Sequence, residues 1–252
     1  TMYSFIPGFE NLSESSTSKS VTGLTASTAY SYRVRAVVNH TSANSNTITA
    51  TTTSAGSPDM TLADNTQIGT GNITRNITDQ ILSRFKITNS GTATGAVNTI
   101  NFTTAGTYVA ADVSNFKLYY SATNSFPGGS PLATVSTSLG TGAHNFSSLT
   151  QDIAVGNDGF FWITTDVPSN AGINANMNVA AVANTDIAFS SGTKSGSVSA
   201  GAVQTIIDVP TVTTNAATAI TTTSVTFNGT VNPNAGETLV SFQYGPNVAY
   251  GT

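Results

Sequence analysis

The feature that most limits this chain's fold is a rhythm. Short runs of alternating apolar and polar residues recur about every 8–12 residues, with turn residues between them. In AYSYRVRAVV, Tyr30, Tyr32, Val34 and Ala36 fall on one face, and Ser31, Arg33 and Arg35 on the other. That period of two is the pattern of a half-buried strand. No window of about a dozen residues keeps the i, i+3, i+4, i+7 apolar spacing of an amphipathic helix. The chain is expected to be all-β.

Composition agrees and narrows the function classes. Hydrophobic residues make up 38% of the 252 positions, enough for sizeable cores. Charged residues are only 8%, against roughly 25% in an average globular domain. Thr, Ser, Asn and Gly supply the polar surface instead. Threonine suits a pleated face, and Asn and Gly supply turns. The net charge is −4, and the eight basic residues are scattered. This leaves no electrostatic footprint for nucleic acid. No apolar run approaches the roughly 18 residues of a spanning helix, so no membrane insertion is expected. Cysteine is absent, which rules out disulfides and thiolate metal sites. Low charge, abundant threonine and β patterning point to an extracellular or cell-surface protein.

Three zones follow from the punctuation. Residues 1–56 hold SKSVTGL, AYSYRVRAVV and NTITATTTS, ending in the linker SAGSPD. Residues 57–207 hold ILSRFKITNS, NTINFTTAG, SNFKLYYSA, HNFSSLTQDIAV, GFFWITTDV and NMNVAAVA. Here Asn157-Asp158-Gly159 reads as a tight hairpin turn, FPGGSP as a loop, and Trp162 as a core residue. Residues 208–252 hold three more strands: PTVTT, SVTFNGTVNP and LVSFQYGP.

The outer zones resemble complementary halves of one fibronectin type III module. In VTGLTASTAYSYRVRAVV, Leu24 stands six residues before Tyr30, like the family's Leu-to-Tyr corner ahead of its penultimate strand. Pro210 and SVTFNGTV resemble the family's opening strands, and LVSFQYGP its third. The resemblance implies a fibronectin type III/Ig-like β-sandwich split between the ends, plus a larger antiparallel β-sandwich in the middle. Joining the end to the beginning reads SFQYGPNVAYGTTMYSFIPGF, a strand–turn–strand passage. Residues 1–56 and 208–252 are thus expected to be the closing and opening halves of such a domain. Tyr244, Tyr250, Tyr3 and Phe5 are expected to form the seam between successive units. The central zone, through SNFKLYYSATNSF, GFFWITTDV and FSSGTKSGS, resembles a sandwich of large secreted proteins of gliding and other surface-living bacteria.

Catalytic chemistry needs convergent titratable groups, and the chain has two histidines. His40, in VVNHTSANSN, has a turn composition. His144 lies near Ser147 and Asp152, but strand alternation gives a poor triad and no G-x-S-x-G elbow surrounds the serine. The twelve acids are spread thinly, without paired glycosidase carboxylates or a calcium-loop motif. No enzyme activity, cofactor or metal is expected. In FKLYYS, Tyr119 and Phe116 are expected on different faces from Leu118 and Tyr120, and one of these sets could present Tyr119 or Tyr120 to surface glycans.

The expectation is a structural protein: the tandem repeat unit of an extracellular bacterial filament or giant surface adhesin. Its partners would be identical neighbouring units, met head-to-tail. The alternative is a carbohydrate-binding accessory module of a secreted polysaccharide-degrading enzyme.

Overall fold

The computed structural model describes residues 16–36 and 40–249. The chain packs as two units, Thr1–Gly56 and Ser57–Thr252. It is all-β, with two short 3-10 turns at Ala110–Asp112 and Asn184–Asp186 among the described residues.

In the first unit, β1 (Ala29–Tyr32) pairs antiparallel with β2 (Ile48–Thr51). The expected long strand through AYSYRVRAVV is cut short after Tyr32. Beyond it, serine hydroxyls take over the ladder. Val34 N–H donates to Ser45 Oγ at 2.9 Å, and Ala36 N–H to Ser42 Oγ at 2.9 Å. The backbone groups are satisfied without regular pairing.

The second unit opens with β3 (Asp59–Asp64), β4 (Gly71–Thr74), β5 (Ile77–Asn89), β6 (Gly95–Gly106) and β7 (Asn115–Ser121). It continues through β8 (Ala133–Val135), β9 (Gly142–Phe146), β10 (Gln151–Ile153), β11 (Asp158–Val167) and β12 (Asn176–Val179). Next come β13 (Val182–Ala183), β14 (Ile187–Phe189), β15 (Thr193–Val198) and β16 (Gln204–Ile207). The last pair is β17 (Thr211–Thr218) and β18 (Thr226–Asn232).

Strands β3 to β16 form a two-sheet sandwich. One sheet runs β13-β15-β3-β5-β11-β7-β8; the other runs β10-β6-β12-β16-β4, with β9 and β14 also paired to β6. The expectation of a wholly antiparallel sandwich needs one correction, since β15 lies parallel to β3 and β16 parallel to β4. Parallel neighbours need a long crossover rather than a hairpin, and here more than a hundred residues separate the partners.

Alternation explains the core. Phe161 and Ile163 of β11, Phe85 and Ile87 of β5, and Phe116 and Leu118 of β7 point inward from one sheet. Val97, Ile100 and Phe102 of β6, with Phe146, Val179 and Ile206, meet them from the other. Phe85 and Phe161 sit opposite each other in register and stack at 5.4 Å. Phe102 meets Phe116 edge-on at 5.7 Å across the sheets. Each such side chain contributes about 1.5–3 kcal/mol on burial.

One sequence expectation is corrected inside this sandwich and another, the burial of Trp162, is met on an unexpected face. The tight turn precedes Asp158 rather than containing it. Asn157 N–H bonds Ala154 O at 3.2 Å, with Gly156 at φ +75. Asp158 and Gly159 already belong to β11, where a Cβ on Gly159 would strike Tyr120 and Ile153. Trp162 is buried, but on the face of β11 that turns away from the inter-sheet core. Phe126, from the expected FPGGSP loop, covers it edge-on at 5.9 Å.

Candidate functional site

The ends of the described chain differ in kind from the middle. Every fully buried large hydrophobic lies between Met60 and Ile206, inside the sandwich. Among the exposed large hydrophobics, four lie between Val21 and Ile48, and ten between Val209 and Val248. The described residues of these two stretches form strands and bury no large hydrophobic fully.

In the first unit, the β1–β2 register places Tyr30 opposite Ala50 and Tyr32 opposite Ile48. These four, with Val34 further along, make one apolar face. The other face carries Ser31 and Thr49, whose hydroxyls bond each other at 2.8 Å. Leu24 and Tyr30 are both half-buried. The Tyr30 hydroxyl accepts from Thr25 N–H at 2.9 Å, folding the preceding chain back over the strand. Thr52 Oγ1 clamps the same corner, donating to Thr25 O at 2.6 Å and accepting from Thr28 N–H at 3.0 Å.

The pair β17–β18 repeats this two-faced design. Thr211, Thr213 and Asn215 stand opposite Asn232, Thr230 and Asn228, a hydroxyl and amide face. Asn215 Nδ2 donates to Thr230 Oγ1 there at 2.9 Å. On the other face lie Val212, opposite Val231, and Phe227. The Phe227 ring packs 6.3 Å from Phe242 and 5.6 Å from Tyr244. All three aromatics remain exposed, Phe242 at 54% and Tyr244 at 71%. LVSFQYGP, expected as a third strand, joins no sheet. A strand exists only with a neighbour to bond, and this segment is held by its rings instead. The junction to the sandwich is tied down. Arg75 Nη1 meets Asp208 Oδ2 at 3.1 Å, and Asp208 N–H donates to Asn234 O at 3.1 Å.

Of the expected seam residues, Tyr244 is therefore exposed and clustered with Phe227 and Phe242. Tyr3, Phe5 and Tyr250 lie outside the described residues. Sequence reading missed Phe227 and Phe242 as site residues. Their signal was present, since Phe227 alternates with Val225 and Val231 does likewise with Gly229 in SVTFNGTV.

The two tyrosines named for glycan contact part ways. Tyr119 is 1% exposed, tilted against Phe126 at 4.8 Å, and its ring is closed to a sugar. Tyr120 is half-buried against Phe161 and borders a shallow groove with Asp152, Asn157 and Asp158. The Tyr119 hydroxyl donates to Asp79 Oδ1 at 2.7 Å. Burial, then the Asp79 carboxylate, pushes this phenol up to about 12.

Around that hydroxyl lies a cluster that no sequence motif announced. Lys117 Nζ is 2.9 Å from Asp79 Oδ1, and 3.0 and 2.8 Å from Asp166 Oδ1 and Oδ2. Asp79 N–H donates to Asp166 Oδ1 at 2.8 Å. Asp79 sits at φ +58 where the β5–β11 register slips, so its N–H meets Asp166 while its carboxylate meets Lys117 and Tyr119. Burial works against the Lys117 ammonium, but its hydrogen bonds to Asp166 and Asp79 outweigh it and raise the amine to about 12. Burial would raise the Asp79 carboxyl, yet the bonds from Lys117 and Tyr119 hold it below its ordinary value.

His40 is exposed at a bend. His144 is buried, tilted against Phe102 at 5.1 Å and Phe116 at 4.7 Å. Its Nε2 is 2.9 Å from Thr104 Oγ1, which also bonds the Tyr108 hydroxyl. This ring nitrogen is thus engaged by Thr104 rather than Ser147 or Asp152. Burial lowers the His144 pKa below 6.5, partly offset by a hydrogen bond with the Gly140 backbone. The unfolded chain then binds a proton that the folded chain refuses, so stability falls as pH drops from about 6.5 through the depressed folded value. A melting temperature measured from pH 7.5 to 5 is expected to fall, and His144→Gln should flatten that slope. An unchanged slope in the variant would place the effect elsewhere.

Compared with protein-family models and with curated proteins, the chain matches none.

Proposed function

We propose that this chain is a structural repeat unit of an extracellular bacterial filament or giant surface adhesin, joining head-to-tail with identical units. The observation that carries the reading is the pair of bare apolar faces. One lies on β1–β2 (Tyr30, Tyr32, Val34, Ile48), and the other on β17–β18 and the segment after it (Val212, Phe227, Val231, Phe242).

A two-stranded sheet with one apolar face is marginal by itself and needs a second sheet about 10 Å away to complete a core. The two faces match in kind. Each is two strands wide, apolar on one side and hydroxyl-bearing on the other, as the two layers of a sandwich are. With so few charges nearby, neither face suits an ionic partner. A neighbouring copy of this chain supplies the missing layer at each end. The Tyr30–Thr25 hydrogen bond supports the family resemblance, since immunoglobulin-like sandwiches close their corner with a tyrosine hydroxyl bonded a few residues upstream. The surface is the same whether successive units share one polypeptide or meet as separate chains.

Pairing of such faces is heterologous, and a heterologous contact whose rotation does not close a ring propagates into an open filament. Mechanical strength would come from the sheet hydrogen bonds and from two sandwich cores per unit. The glycan-binding alternative keeps one aromatic, Tyr120, beside the groove with Asp152 and Asn157.

Sedimentation and negative-stain imaging of the 252-residue chain test the proposal. The expected result is mass that grows with concentration and beaded linear particles with a two-domain period. A single monomeric species up to about 0.1 mM, where even a weak specific interface is populated, overturns it.

A further inference from the structure

The geometry points to a covalent cross-link: we propose that Lys117 and Asp166 condense to an intramolecular amide, with Asp79 carrying the proton. The inference stands apart from the assembly reading, because all three residues lie within the central sandwich. They come from three neighbouring strands, with β11 between β5 and β7.

Several contacts converge on one bond. Lys117 pairs with Thr164 in register, so Asp166, two residues on, is its diagonal neighbour on the same face. The amine lies over both oxygens of the Asp166 carboxylate, at 3.0 and 2.8 Å. Held by both oxygens, the nitrogen stays beside the carboxyl group it would attack. Asp79 N–H donates to Oδ1, the oxygen that remains as the amide carbonyl, and would stabilise negative charge developing there. The Asp79 carboxylate touches Nζ at 2.9 Å and is itself steadied by the Tyr119 hydroxyl. The side chains of Lys117 and Asp166 are only 16% and 12% exposed, beside the buried Tyr119, Trp162 and Thr164.

The step balances without an outside reagent. Lys117 begins as an ammonium and Asp166 as a carboxylate. One proton passes from Nζ to Oδ2 along the 2.8 Å contact, and a second passes to Asp79 as the nitrogen attacks Cγ. Asp79 returns its proton to Oδ2, which leaves as water. The C–N bond forms, the C–Oδ2 bond breaks, and one hydrogen stays on the amide nitrogen. Nothing is oxidised or reduced. The elevated pKa of Lys117 belongs to the ion pair before reaction. Two effects drive it forward. A fixed pair reacts at an effective molarity of about 10⁵–10⁸ M, well above that of water. The product also removes two charges from a mostly buried site, where each carries a desolvation cost.

The test is the intact mass of the purified, folded chain after incubation at neutral pH. The expected result is a loss of one water, about 18 Da. Peptide mass spectrometry should place the link at Lys117–Asp166, and trypsin should no longer cut after Lys117. Lys117→Arg keeps the charge but cannot form the amide, and should show the full sequence mass. Asp79→Asn should slow the loss of water at least tenfold. A wild-type mass equal to the sequence mass overturns the proposal, and this arm does not depend on any variant folding. A water loss that persists in Lys117→Arg overturns it too, since that would be dehydration elsewhere, for instance at Asp158-Gly159.

Discussion

Phe116→Ala is expected to cost the central sandwich about 3–5 kcal/mol, the usual range for emptying a large aromatic site in a packed core. Phe116 is wholly buried, and its ring joins the two sheets. It meets Phe102 edge-on at 5.7 Å and Tyr108 at 6.4 Å, and it tilts against His144 at 4.7 Å. Phe102 and His144 are anchored on strands and Tyr108 is tied to Thr104 by its hydroxyl, so most of the cavity should persist. Against a total stability of about 5–15 kcal/mol, the loss takes a third or more. In urea, the midpoint should fall while the slope stays constant, because the surface exposed on unfolding is nearly unchanged. Tyr244→Ala, at an exposed site, should move the same midpoint by less than about 0.5 kcal/mol. A shift below about 1 kcal/mol in Phe116→Ala would mean that the sheets are held together elsewhere.

That contrast between Phe116 and Tyr244 marks what a single sequence can disclose. Alternation located the strands of the sandwich because one face of each had to be apolar, but Phe116, expected on the face of Tyr119, lies instead on the core face with Leu118. Trp162 was assigned to the core by its hydrophobicity. It is buried instead on the face away from the second sheet, where Phe126, thirty-six residues earlier, packs edge-on against it. The turn at Asn157-Asp158-Gly159 was misplaced for a similar reason. The conformational freedom of glycine suggested a turn, whereas Gly159 is needed for lack of a side chain beside Tyr120. The parallel pairs depend on crossovers that leave no local trace.

The Lys117–Asp79–Asp166 cluster was illegible for a sharper reason. Its members are separated by 38 and 49 residues, and they meet only because β5 slips register twice against β11. One residue more or less in either bulge would turn Asp79 away from Lys117, since a one-residue slip exchanges the faces of a strand. No spacing rule survives such irregularity. The Tyr30 hydroxyl bond to Thr25 N–H is by contrast local, closed within five residues of chain.

Phe242→Asp is expected to weaken self-association by about a hundredfold or more, because a carboxylate buried in an apolar face without a partner costs several kcal/mol. Folding of the sandwich should be untouched, since Phe242 is more than half exposed in the chain itself. Tyr32→Asp, on the β1–β2 apolar face, should weaken association as strongly. Thr213→Asp, on the hydroxyl face of β17, should change little. The decisive measurement is a mixture of the first two variants. A chain carrying Phe242→Asp keeps an intact β1–β2 face, and one carrying Tyr32→Asp keeps an intact β17–β18 face. Head-to-tail pairing therefore predicts that the mixture forms dimers and stops there, because each dimer has one spoiled face at each end. Pairing of like faces predicts something different. Each variant would then dimerise alone through its surviving face, and mixing would add nothing. Sedimentation of three samples separates the two arrangements, whatever the absolute affinity.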